Sequence, residues 1–135
     1  MKIEFTTAPN HTDVEYLTDK INAETANYGQ AQPFGFFIRD KNNEIIAGAN
    51  GFVMYGKIYT DQLWVDSAFR NQGLARQLME KVHELGKVEG CTSATVSTMS
   101  FQHAKSFYEK LGYEINFERT GYVNESSCYF MSKSI

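Results

Sequence analysis

The rhythm of hydrophobic and polar residues changes several times along this 135-residue chain. Apolar and polar positions alternate in "KIEFTTA" (Lys2 to Ala8), which predicts a strand. Val14, Leu17, Ile21 and Ala26 then fall near helical spacing, and a helix is expected over 13–27 with Thr12 or Asp13 as its cap. "FGFFIRD" (Phe34 to Asp40) reads as a strand, "DKNN" as the turn after it, and "EIIAGANGFVMY" (Glu44 to Tyr55) as an antiparallel partner. Gly48 and Gly51 inside that partner suggest bulges or bends. "KIYTDQLWVD" (Lys57 to Asp66) completes a three-stranded meander.

Beyond Asp66 the period lengthens. Leu74, Leu78, Val82 and Leu85 mark one face of a helix that Gly90 ends. "CTSATVST" (Cys91 to Thr98) is a short β-branched strand, and "HAKSFYEKLG" (His103 to Gly112) a second helix. "YEINFER" (Tyr113 to Arg119) and "SCYFMSK" (Ser127 to Lys133) close the pattern as a hairpin. Strand–helix–strand in the middle implies a parallel pair inside a mixed sheet.

Composition narrows the possibilities. The chain is 42% hydrophobic and 14% aromatic, as globular proteins are, and its length suits a single domain over 1–135. A net charge of −3 without a basic run argues against nucleic-acid binding. No apolar run approaches the ~20 residues of a membrane helix, and the N-terminus does not have the form of a signal peptide. Cys91 and Cys128 stand apart without CxxC spacing, which suggests free thiols in a reducing cytoplasm rather than a disulfide.

The chemistry concentrates where the third meander strand gives way to a helix. "FRNQGLARQLME" (Phe69 to Glu80) has no Ser, Thr or Asp beside the first turn, only Gly73. An uncapped helix start presents unpaired N–H groups and the positive end of a dipole, and a glycine lets a ligand come close, so the stretch is suited to phosphate. Arg70 and Arg76 add positive charge. A plain loop before a core helix would read the same way. No GxxxxGK[ST] and no GxGxxG follows a strand, so two common nucleotide loops are excluded.

What remains is Arg70-Asn71-Gln72-Gly73-Leu74-Ala75 after a strand ending "LWV", with "FYEKLGY" (Phe107 to Tyr113) downstream. In this combination the sequence resembles the GCN5-related N-acetyltransferase family over nearly the whole chain. The resemblance implies an α/β fold, with a central mixed sheet of about seven strands, flanking helices and a splay between the fourth and fifth strands. Acetyl-CoA is the implied donor. Its pyrophosphate would lie on the loop Arg70 and Asn71 onward, against the backbone of Gln72, Gly73, Leu74, Ala75 and Arg76. Its pantetheine arm would pair with main chain at Trp64 and Val65.

Attack on a thioester by an amine needs a base, an oxyanion donor and an acid for the departing thiolate. The Val65 N–H is expected to serve the oxyanion, and Tyr108, which matches the family's tyrosine, the thiolate. Beside Phe107 and Leu111, Tyr108 also fits a core position. Asp61, four residues before Val65 and so on the same face of a regular strand, is a candidate base; a salt bridge or strand-edge position explains it equally well. His103 is a second candidate, while His11 and His83 read as surface residues. No metal-ligand spacing is present. Phe101 stands where the family often has an asparagine that holds pantetheine, and Gln102 is a partial substitute.

The acceptor is expected to be a small amine or amino-acid-like compound. Tyr28, Gln30, Gln32 and Phe34, with Tyr122 and Asn124 of the last hairpin, are candidate pocket residues. A CoA-binding module without turnover, a protein or peptide acetyltransferase, and an enzyme using another acyl donor are the alternatives. A homodimer is expected, on the argument that the last strand lies near a sheet edge.

Overall fold

The computed structural model describes all 135 residues, which form two compact units, Met1–Ala31 and Gln32–Ile135. The first holds helix α1 (His11–Glu24), capped by Asn10, whose side chain accepts from the Thr12 N–H. Asn22 closes the end of this unit, exchanging hydrogen bonds with the main chain of Ala31 at 2.9 and 3.2 Å. Residues 2–8 form no strand. Alternation there met no ladder partner, and periodicity alone cannot supply one. The sheet therefore has six strands instead of about seven.

The second unit runs β1 (Gln32–Arg39), β2 (Ile45–Met54), β3 (Lys57–Val65), α2 (Leu74–Val88), β4 (Ser93–Met99), α3 (Lys105–Lys110), β5 (Glu114–Arg119) and β6 (Cys128–Ser134). Its sheet has the order β1-β2-β3-β4-β6-β5. Only β3 and β4 are parallel neighbours, joined by α2. This is the mixed α/β arrangement expected from the change of period. Strand β6 is interior, paired with β4 on one side and β5 on the other. The edges are β1 and β5, which removes the edge-strand argument for pairing copies through the C-terminal strand.

One sheet face carries the core. Ala47 and Ala49 of β2, Ile58 of β3, Ala94 and Val96 of β4 and Met131 of β6 pack with Leu78, Met79 and Val82 of α2. Tyr108 and Tyr113 join the same cluster. Both cysteines are free and buried.

Candidate active site

Strands β3 and β4 pair only from Lys57–Ser93 to Thr60–Val96. Both continue, β3 to Val65 and β4 to Met99, without further pairing to each other. The gap opens where β3 is bulged: Asn50 faces Gln62 and Gly51 faces Thr60, which leaves Asp61 as the extra residue. Gly51 makes this close approach possible, because a β-carbon there would collide with the Tyr59 carbonyl. The extra residue also shifts strand parity. Thr60 is buried opposite Gly51, and Leu63 and Val65 then lie opposite the buried Ala49 and Ala47. The spacing rule that put Asp61 and Val65 on one face holds only for a regular strand and fails across the bulge. Asp61 itself is exposed and lines the cleft.

Peptide direction along β3 follows from a single bond. The Asp66 N–H donates to the Ile46 carbonyl at 2.8 Å. Alternation in an antiparallel pair turns the Trp64 N–H toward β2 as well, and the N–H groups of Leu63 and Val65 toward the gap. Of the two expected backbone partners, Val65 thus offers its N–H to the gap and Trp64 does not. The Trp64 side chain is half exposed and lines the cleft. The Val65 carbonyl is engaged by Arg70, whose Nε donates to it at 2.9 Å.

The segment beyond β3 turns sharply. Asp66 accepts from the Ala68 N–H at 2.8 Å and starts a 3₁₀ turn, Ser67–Phe69. Asn71 and Gly73 have φ of 62° and 80°. Gly73 is the N-cap of α2 and gives no side-chain cap. The first intrahelical bond runs from the Gln77 N–H to the Gly73 carbonyl at 3.0 Å. The N–H groups of Leu74, Ala75 and Arg76 therefore have no intrahelical partner. The space in front of Gly73 is open; an added β-carbon would meet only Gln77 Nε2, at 3.9 Å. Free donors at the positive end of a 15-residue helix, beside a residue without a side chain, fit a pyrophosphate.

These features share one cavity of about 860 Å³. Its walls hold Asp61 to Val65, the loop residues Arg70, Asn71 and Gly73 to Arg76, and Ala104, Phe107 and Tyr108. Gln72, expected in the loop, does not line it. Tyr108 is buried, edge-on to Phe107 at 5.2 Å and to Tyr113 at 5.5 Å between ring centroids. Burial pushes its phenol up to about 12, with Tyr59 adding to the shift, so the proton stays on oxygen at neutral pH. Tyr108 is thus both a core residue and a cleft residue.

His83 is not a surface residue. It is buried, and its Nε2 lies 2.7 Å from the Tyr113 hydroxyl. The helical stripe of leucines and valine gave no sign of this, because the partner lies 30 residues away. Gln102 also lines the cleft, and its Oε1 accepts from the Met99 N–H at 2.8 Å and the Thr98 hydroxyl at 3.3 Å. Phe101 is exposed. Ser97 and Thr98 line the cleft without having been singled out; strand alternation on β4 was the available signal.

The expected acceptor residues are divided between the two units. Tyr28 and Gln30 are exposed in the first unit. Phe34 packs against the core of the second unit beside Phe36, at 6.0 Å. Neither Phe34 nor Tyr122 lines the cleft.

A mixed sheet whose parallel pair separates at a bulge, with an uncapped helix start facing the gap, defines an acyl-transferase type of α/β fold. The chain belongs to the acetyltransferase (GNAT) family, whose model matches residues 3–113. Blasticidin-S acetyltransferase of Streptomyces morookaense is 33% identical over 76 residues, covering 56% of this chain and 55% of that protein. The chain thus spans little more than half the length of that relative. An acetyltransferase structure from Bacillus cereus superimposes with a TM-score of 0.75 at 21% identity, covering 98% of each chain. A Bacillus anthracis structure, described as a streptothricin acetyltransferase in complex with acetyl coenzyme A, gives 0.69 at 17% identity, covering 82% of this chain and 67% of that one. Likeness at these two identities establishes the shared fold.

Proposed function

We propose that the protein transfers the acetyl group of acetyl-CoA to a primary amine of a small or amino-acid-like molecule. The observation that carries this reading is the convergence on one cavity of the unpaired β3 edge at Val65, the uncapped start of α2 at Gly73, and Tyr108. Family membership and the acetyl-CoA complex of the Bacillus anthracis relative support the donor. The name of the blasticidin-S relative supports a small-molecule acceptor over a protein tail.

Acetyl-CoA brings its acyl carbon as a thioester. The free N–H groups of Leu74, Ala75 and Arg76 hold the pyrophosphate, with Arg70, Asn71 and Gly73 shaping the loop. The Val65 N–H donates to the carbonyl oxygen as charge develops there. The amine nitrogen forms the new C–N bond, the C–S bond breaks, and the nitrogen loses one proton. Asp61, exposed at the mouth of the gap, takes that proton or relays it to water. Tyr108 gives a proton to the departing sulfur, whose thiol has a pKa of about 8.5, and regains one from solvent.

The protein is incubated with acetyl-CoA and a panel of amines while free thiol is followed. Turnover separates this reading from a CoA-binding module; propionyl- and succinyl-CoA in parallel test the donor. Tyr108→Phe keeps the ring and removes the proton, and kcat falls by about 10²–10⁴-fold with CoA affinity retained. Unchanged kcat returns Tyr108 to a packing role alone. The reading includes a cytoplasmic homodimer. With β6 interior, the edges available for pairing are β1 and β5. Light scattering checks it against the 15.4 kDa of one chain.

A further inference from the structure

Tyr59 and Thr95 sit opposite each other in the parallel pair, each between residues of the buried face: Ile58 and Thr60 on β3, Ala94 and Val96 on β4. They therefore point to the other face of the sheet, away from α2. Ser97 follows Thr95 on that face, opposite Phe130 of β6. A second cavity of about 560 Å³ opens here, with Met54, Lys57, Tyr59, Thr95 and Phe130 among its walls. Lys57 is the one charged residue among the lining residues, and no carboxylate lines it. Its Nζ lies 2.8 Å from Ser93 Oγ.

Ser97 belongs to the walls of both cavities. The Tyr59 hydroxyl lies 3.4 Å from Ser97 Oγ, so this pair of hydroxyls stands where the second cavity meets the cleft. Tyr59 is near enough to Tyr108 to help keep its phenol protonated. Two hydroxyls at such a junction can accept from and donate to an amine on its way to the thioester. Lys57 lies two residues before Tyr59 on the same face of β3, with its ammonium held at Ser93, four residues before Ser97 on β4.

We propose that the second cavity is the acceptor site, and that it takes a primary amine on a flat or apolar body with an anionic group at its far end. The amine is directed between Tyr59 and Ser97, and the anion lies toward Lys57. A polycationic amine meets apolar walls and a like charge. This proposal rests on the acetyl-transfer reading above and adds the face of entry and the acceptor class.

The test uses the full chain and three probes: 4-(aminomethyl)benzoate, benzylamine and spermidine. Binding of 4-(aminomethyl)benzoate is measured by ligand-observed NMR with CoA present and absent, and CoA affinity by calorimetry. Thr95→Trp fills the second cavity from a position that does not line the first. It is expected to weaken the benzoate probe by on the order of tenfold or more, with CoA affinity unchanged. Lys57→Glu, an exposed substitution, serves if Thr95→Trp does not fold. It should weaken the carboxylate probe by about threefold to fivefold, the scale of an exposed ion pair, and leave benzylamine unaffected. Spermidine should be the poorest substrate of the three. No binding of the benzoate probe at millimolar concentration, binding insensitive to the folded variants, or preference for spermidine overturns the proposal. Absence of CoA binding or of any acetyl transfer counts against the acetyl-transfer reading instead, because amine binding is read separately.

Discussion

Gly51 of β2 lies so close to Tyr59 of β3 that a β-carbon on it would sit within the van der Waals envelope of the Tyr59 carbonyl. This contact lies at the step where the register slips and Asp61 is left unpaired. Two buried polar atoms without hydrogen-bond partners, Asn50 Oδ1 and Thr60 Oγ1, flank the same step. A close backbone approach, a bulge and two unsatisfied groups thus coincide where β3 leaves β4. The local sacrifice in pairing creates the gap on which the proposed chemistry depends.

Gly51→Ala should accordingly be costly. The clash is with main chain, so no side-chain rotation relieves it. Overpacking typically costs about 1–3 kcal/mol, and the upper end or more is expected here. Chemical denaturation measures the loss. Activity of the folded fraction should fall as well, since relief requires β2 and β3 to move at the bulge. Wild-type stability would show that the strands separate easily.

Much of this fold was legible because its elements carry their own periods. The meander, the Leu74–Leu78–Val82–Leu85 stripe of α2 and the β-branched β4 each appear within a residue or two of expectation. The uncapped start at Gly73 was visible because capping is a local property. Failures came where a partner distant in sequence decides. Lys2 to Ala8 alternate but found no ladder. The parity of Asp61 depends on a bulge set by Gly51, ten residues earlier. His83 looked like a surface residue until Tyr113 supplied a buried hydroxyl. The proposed acceptor walls at Tyr59, Thr95 and Phe130 come from three strands, and no short motif joins them.

Gly73 tests the phosphate loop with strain and blockage separated. At φ of 80°, a β-branched residue is strained by about 1–2 kcal/mol, whereas asparagine tolerates this region. Gly73→Val should lose stability and CoA binding together; Gly73→Asn should lose mainly CoA binding. Arg70→Ala should have a smaller effect, about 0.5–1.5 kcal/mol, because the side chain is partly occupied by the Val65 carbonyl. Calorimetry with CoA gives all three values. Full affinity in Gly73→Asn would place the pyrophosphate elsewhere.

The buried His83 predicts a specific acid response. Burial, helped by Lys133 and Lys87, lowers its pKa from 6.5 to about 4. Between those values the unfolded chain binds a proton that the folded chain does not. Stability from this group is therefore complete above pH 6.5, falls as pH drops toward about 4, and changes no further below it. His83→Gln should flatten that part of the stability-against-pH curve relative to wild type. It should also lower stability at pH 7, where the Tyr113 hydroxyl loses its partner at a cost of about 1–3 kcal/mol. Parallel curves for the two proteins would mean that the imidazole titrates alike in the folded and unfolded states.

The C-terminal strand should be indispensable to the second unit. β6 makes ladders with both β4 and β5, and Met131 is almost wholly buried. Deleting Cys128–Ile135 removes both sets of hydrogen bonds, strands β5 and exposes the unpaired edge of β4. Losing one large buried side chain alone typically costs about 2–5 kcal/mol, comparable with the ~5–15 kcal/mol that holds a whole domain. The truncated chain should therefore lack a cooperative thermal transition and bind no CoA. Met131→Ala, a milder change, should retain the fold with a lowered midpoint. A cooperative transition in the truncated protein would show that β1 to β4 with α2 fold without β6, and would limit the role of the last strand to closing the sheet.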